Sequence, residues 1–201
     1  MLSMRSFPDV FSIIDTETTG MRPGSARVID IGIIRVENGV VTERYETLVN
    51  PGERVPYFIT RLTGITDSML ESAPSFSDVA LEVERLLSGA VFVAHNAAFD
   101  YGFMKYELAR AGIDWSADTL CTVALSRRLD PFATSHSLDA VIDRYGIGVG
   151  DRHRALPDAE AVWEFVSSVD REVDPNVLSR LLPVREQGTR KRFPSEERTI
   201  S

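Results

Sequence analysis

The 201-residue chain suits one domain with a tail and is long enough to bury a sizeable core. At 43% apolar and 26% charged it has the composition of a globular protein; no apolar run approaches the ~18 residues of a membrane span, and the lone Cys121 excludes an intramolecular disulfide framework. The net charge of −8 argues against broad adhesion to nucleic-acid phosphates, unless the acids gather around bound cations and the substrate is held at one site.

The opening Met1–Ser6 lacks a signal-peptide apolar stretch, which with the single cysteine points to the cytoplasm. Phe11–Asp15 is a short β-rich run ending in an acid. Val28–Val36 reads as a second strand, with Ile29, Ile31, Ile33 and Ile34 as its β-branched content. Asn38-Gly39 is a hairpin signal, and Val40–Val49 is the returning strand, giving an antiparallel three-strand meander. Asn50-Pro51-Gly52 then breaks the pattern. Ser75 or Ser77 caps a helix to Leu87, whose Val79, Val83, Leu86 and Leu87 recur at helical spacing before Gly89 ends it.

Val91–Ala94 is a short, wholly apolar strand, as expected inside a sheet covered on both faces. Ala98–Ala111 reads as a helix closed by Gly112. Asp118–Cys121 is a fifth strand leading into a short helix up to Leu129. Ser137–Tyr145 and Ala159–Val169 complete the helices. A meander followed by alternating strands and helices predicts an α/β class: a mixed central sheet, with an antiparallel meander plus parallel strands, flanked by helices.

Past Pro175 the character changes. Residues 180–201 hold Arg180, Arg185, Arg190, Lys191, Arg192 and Arg198 against three acids, net +3, whereas the rest of the chain is −11. The expected organisation is a domain over residues 1–175 and a basic, flexible tail over 176–201. Plain disorder and a tether to a partner or to nucleic acid both fit such a tail.

Three short segments carry chemistry. In Asp15-Thr16-Glu17-Thr18-Thr19-Gly20, extended backbone points residues i and i+2 to one face, so Asp15 and Glu17 present two carboxylates side by side. Like charges so placed favour a cation between them, and carboxylate oxygens suit Mg²⁺ or Mn²⁺. A pair of surface acids is the plain alternative.

His95-Asn96-Ala97-Ala98-Phe99-Asp100 follows directly on the apolar fourth strand, at a strand's carboxyl end where open α/β sheets place their sites. Asp100 begins a helix there, either as a dipole-pairing acid or as a third metal ligand. Phe99 is either core or a surface on which a base stacks. In His153-Arg154-Ala155-Leu156-Pro157-Asp158, Asp158 stands before the last apolar helix, as an N-cap or as a ligand. His153, in the preceding loop, is either incidental or a proton acceptor at neutral pH. His95 and His136 lack an acid at that spacing and read as orienting and cap-region residues.

Taken in this order, the three segments resemble the motifs of the DEDDh exonuclease superfamily, and within it the proofreading subunits of bacterial DNA polymerase III. Thr63-Gly64-Ile65-Thr66 and His136-Ser137-Leu138-Asp139-Ala140 resemble further recurrent segments of that family, and the likeness covers roughly residues 9 to 170. Thr63 stands where the proofreading subunits have a histidine, a departure at a substrate contact and not at a metal ligand.

The resemblance implies a ribonuclease H-like fold and 3′→5′ hydrolysis of nucleic-acid ends. It implies Asp15, Glu17, Asp100 and Asp158 as ligands of two Mg²⁺ or Mn²⁺ ions, with Asp15 shared between them. It implies His153 as general base, and Thr18, Phe99 and Thr63 near the terminal nucleotide. The expected partners are single-stranded 3′ ends, DNA before RNA, and a DNA polymerase subunit. An RNA-trimming enzyme of the same superfamily is one alternative. An inactive nuclease fold kept as a binding module is another, against which all five catalytic-type residues stand.

Overall fold

The computed structural model describes residues 4, 6–148, 153–182 and 184–185. Strands β1 (Val10–Thr18), β2 (Val28–Glu37) and β3 (Val40–Leu48) pair antiparallel in succession, the expected meander. Asn38-Gly39 turns β2 into β3 with both residues at positive φ, 52° and 76°. β4 (Val91–Ala94) adds parallel to β1, and β5 (Thr119–Cys121) parallel to β4. β6 (Val184–Arg185) pairs antiparallel with β5, so the sheet among the described residues runs β3-β2-β1-β4-β5-β6.

The helices are α1 (Tyr57–Thr63), α2 (Asp67–Leu70), α3 (Phe76–Leu87), α4 (Ala97–Arg110), α5 (Thr122–Leu129), α6 (Leu138–Tyr145), α7 (Ala155–Glu172) and α8 (Pro175–Leu181). The alternation of strand side chains divides the core in two. On one face Ile14, Ile31, Ile33 and Phe92 pack with Val83 and Leu86 of α3 and Phe103 and Met104 of α4. On the other, Phe11, Ile13, Ile34, Val36 and Val93 pack with Val162, Phe165, Val166 and Val169 of α7. Burying each such large side chain contributes about 1.5–3 kcal/mol. The central strands are therefore apolar on both faces, which is why they read as near-continuous hydrophobic runs.

The structure departs from the sequence reading in three places. The stretch after Asn50 holds α1 and α2, too short for a helical period to show: of α1 only Ile59 and Thr63 are buried. Helix α7 begins four residues before Ala159, because Pro157 falls in the first turn, where its missing N–H breaks no helical bond.

The boundary drawn at residue 176 cuts through α8. Asp174 caps that helix by accepting from the Asn176 N–H at 2.8 Å, Pro175 takes its first position, and Leu178 is fully buried against the α7 side of the core. The chain through Leu182 thus packs on the domain instead of trailing from it. The remaining tail, with Arg190, Lys191, Arg192 and Arg198, lies outside the described residues.

Candidate active site

Asp15 and Glu17 continue the row begun by Phe11 and Ile13, on the face of β1 that α7 covers. At this end of the strand the row emerges from the core, and both acids are half-buried. Asp158 comes to meet them from the fourth position of α7 and is itself buried. Carboxylate oxygens of Asp15, Glu17 and Asp158 lie within 4.8 Å of one another.

The approach of α7 depends on a gap in β2. Gly32 pairs with Asp15 across β1 and β2, and a methyl group on it would come within 2.5 Å of the Ala155 carbonyl oxygen, and closer to Ala155 C and Leu156 N. The missing side chain admits the backbone of α7's first turn onto the sheet. Two residues away Asp30, opposite Glu17, is fully buried. Its Oδ2 accepts from Arg154 Nε at 2.8 Å and from the Ala155 N–H at 3.3 Å.

Asp100 reaches the same end of the sheet from the other face. It is the fourth residue of α4, as Asp158 is of α7, and only 3% exposed. Thr16, which lies between the two acids of β1 and therefore faces α4, donates its hydroxyl to Asp100 Oδ1 at 2.8 Å. Burial pushes the Asp100 carboxyl up to about 7, opposed by the hydrogen bonds from Thr16 and the backbone. Asp100 stands outside the three-acid group and is tied to Thr16, between the two β1 acids in sequence.

His153 is half-buried, two residues ahead of α7, with a left-handed φ of 63°. That conformation costs a non-glycine residue about 1–2 kcal/mol and persists only where its surroundings hold it. His95, at the end of β4, has both ring nitrogens engaged: Nδ1 with Thr122 Oγ1 and Nε2 with the His136 carbonyl oxygen, each at 3.0 Å. Because a carbonyl only accepts, Nε2 carries the proton there. His136 in turn bonds Ser126 through Nδ1 at 2.9 Å, so the two rings tie β4, α5 and the start of α6 together.

The three residues expected near a terminal nucleotide differ in what they offer. Thr18 is buried, and its hydroxyl donates to the Gly20 carbonyl at 2.6 Å. Phe99 packs at 5.0 Å on Phe103 and is partly buried. The Thr63 hydroxyl donates to the Ile59 carbonyl and accepts from the Ile65 N–H, inside the last turn of α1.

Thr16, Asp30, Gly32 and Arg154 escaped the sequence reading. The signal for two of them was present: an acid and a glycine inside Val28-Ile29-Asp30-Ile31-Gly32-Ile33-Ile34 are both out of place in a buried strand.

The donor set fits divalent cations. Three carboxylates drawn together repel one another unless positive charge lies between them, and all their atoms are hard oxygens. The sequence model of the Exonuclease family (RNase_T) matches residues 12–165, a span that includes all of Asp15, Glu17, Asp100, His153 and Asp158. The chain belongs to this exonuclease family. It is 43% identical over 152 residues to the 3′-5′ exonuclease DinG of Bacillus subtilis, and 35% identical over 161 residues to the PolC-type DNA polymerase III of Clostridium perfringens. The matches cover 75% and 80% of this chain but only 16% and 11% of those relatives.

Among solved structures, exonuclease X in complex with 5′-overhanging duplex DNA superposes with a TM-score of 0.66 at 24% identity, over 85% of this chain and 98% of that one. The nuclease domain of 3′hExo, described as a DEDDh family member, gives 0.73 at 15% identity, over 90% of this chain and 98% of that one. E. coli exonuclease I with a dA16 oligonucleotide gives 0.76 at 18%, over 86% and 43%. The exonuclease fold here is thus the ribonuclease H-like one that these exonucleases share.

Proposed function

We propose that this exonuclease removes nucleoside 5′-monophosphates one at a time from single-stranded 3′ ends of DNA, in a proofreading or repair role in the cytoplasm. The observation that carries the reading is the convergence of Asp15, Glu17 and Asp158 within 4.8 Å at the end of β1, with Asp100 hydrogen-bonded to Thr16 there. These four acids would hold two Mg²⁺ or Mn²⁺ ions, which would supply a lowered pKa for the attacking water and stabilisation of the departing 3′ oxygen.

The protein's own residues do the rest. Asp15, grouped with Glu17 and Asp158, would be the ligand common to the site. Asp100, whose carboxyl burial pushes up to about 7, would serve as a ligand in its ionised form. His153 accepts the proton of the attacking water, a contribution of about 10²–10⁴ in rate. Phe99 and the backbone near Thr18 bear on the terminal nucleotide. DNA is favoured over RNA because the PolC-type relatives are DNA polymerases III by name. Their greater length also favours action beside a polymerase or another domain.

An RNA reading has its own support, since a 3′-exonuclease that recognises a histone mRNA stem-loop shares the fold with a TM-score of 0.73. Matched DNA and RNA oligonucleotides, labelled at the 5′ end and incubated with Mg²⁺ or Mn²⁺, test the proposal. A descending ladder from DNA, absent with Asp15→Ala, is the expected result. A ladder from RNA alone overturns the DNA assignment, and failure to shorten either overturns the activity.

A further inference from the structure

We infer that Asp30, Arg154 and Glu46 form a latch that fixes the backbone of His153, making them positioning residues for proton transfer. The inference rests on the reading of His153 as the base. It begins with a carboxylate that has no ordinary reason to be where it is. Asp30 is fully buried in the run Val28–Ile34, otherwise built of Val, Ile and Gly, directly opposite Glu17. Its contacts run to two consecutive residues: Oδ2 takes both the Arg154 guanidinium and the Ala155 N–H, while Oδ1 has no hydrogen-bond partner among the described residues. A fully buried charge is costly unless paired, so this acid holds Arg154 firmly.

The guanidinium then extends outward to Glu46 on β3 at 3.1 Å. Glu46 pairs with Gly32 across β2 and β3, so the same arginine spans from the buried strand to the exposed one, beside the gap that seats α7. His153 is the residue immediately before this anchor, and its left-handed φ needs one. A helix cap alone would use only the Ala155 N–H. The arginine adds a second, planar connection that fixes the direction in which the chain leaves His153.

The test uses the full chain and a 5′-labelled single-stranded DNA oligonucleotide with saturating Mg²⁺. Arg154→Ala is expected to slow cleavage by about 10–100-fold, the size of effect that a misplacement near 1 Å produces, with little change in KM. Arg154→Lys keeps the charge but not the fork and recovers part of the rate. The deciding comparison is the double variant. If the latch works through His153, His153→Ala with Arg154→Ala is no slower than His153→Ala alone. Losses that multiply overturn it.

A second readout does not depend on activity. Amide exchange at Ala155 in metal-free protein is expected to accelerate in Arg154→Ala while Ile33 in the sheet is unchanged. If His153→Ala keeps full activity, the base reading falls, yet altered exchange at Ala155 still shows the latch. Unchanged exchange overturns the latch whatever His153 does. Should Arg154→Ala not fold, Arg154→Lys and Glu46→Gln carry both measurements: smaller shifts in the same direction are expected, and the absence of any shift overturns the inference.

Discussion

Replacing Gly32 by alanine tests how α7 is seated. The added methyl would lie 2.5 Å from the Ala155 carbonyl oxygen, against an ordinary carbon contact of about 3.5–4 Å. The first turn of α7 must therefore retreat by about 1 Å, since β2 is held on both sides by β1 and β3 and cannot yield. Overpacking of this kind costs about 1–3 kcal/mol. For a domain of this size each kcal/mol moves the melting temperature by about 2–4 °C, so Gly32→Ala should melt roughly 2–12 °C lower.

The retreat also carries Asp158 away from Asp15 and Glu17, and a misplacement near 1 Å costs about 10²-fold in rate. Thermal melts beside oligonucleotide cleavage at saturating Mg²⁺ measure both effects. Gly148→Ala is the control, because a methyl there meets nothing within 4 Å among the described residues. A Gly32→Ala protein that melts and cleaves as the wild type does would refute the seating argument. A lowered melting point with full activity would show that α7 moves without taking Asp158 with it.

Three further outcomes follow from the same structure. Glu107, 1% exposed, binds Arg27 at 2.6 and 3.1 Å, so Glu107→Ala leaves that arginine partly buried and unpaired; a loss of about 3 kcal/mol is expected from denaturant melts, and a loss below 1 would contradict it. Gly102 lies inside α4 with only Pro23 Cγ at 3.4 Å from an added methyl, so Gly102→Ala should raise stability by about 0.4–1 kcal/mol; a lowered melting temperature would show that the loop at Pro23 cannot adjust. Burial, then the neighbouring Asp130 carboxylate, pushes the Tyr145 phenol up to about 12. Between about pH 10 and 12 the folded chain then holds a proton that the unfolded chain has released, so stability falls as pH rises through that window; Tyr145→Phe should flatten the fall, and an identical slope in both proteins would refute it.

The parts of the fold legible in the sequence were those whose local signal agreed with the tertiary outcome. The meander showed because Asn38-Gly39 supplies the positive φ values a tight hairpin needs, between two runs of strand-forming residues. β4 showed because four apolar residues buried on both faces leave no polar position. α1, with seven residues, and α8, beginning at the supposed boundary, were hidden by their length and by the basic composition that follows. Yet Asp174-Pro175 is an N-cap followed by a first-position proline, and it was readable as a helix start. In the site, Asp15, Glu17, Asp100 and Asp158 were legible as types at a spacing. Thr16 was not, because its role exists only once α4 lies on the opposite face from α7.

That opposition explains how one end of a sheet can gather so many acids. β1 contributes two carboxylates to the α7 face and turns Thr16 toward α4. Each helix delivers an acid from its fourth residue, where the helix N-terminus favours negative charge. The charges thus arrive from three separated segments, none of which holds more than two, and the repulsion among them is incurred only when the chain is folded. The sheet supports this arrangement behind the acids: Gly32 gives α7 room, and Asp30 and Arg154 fix where it starts. None of the three is a ligand, and Gly32 and Asp30 sit on β2, which carries no acid of the cluster. The strand that looks like plain core in the sequence is therefore the one that sets the distance between the β1 acids and Asp158.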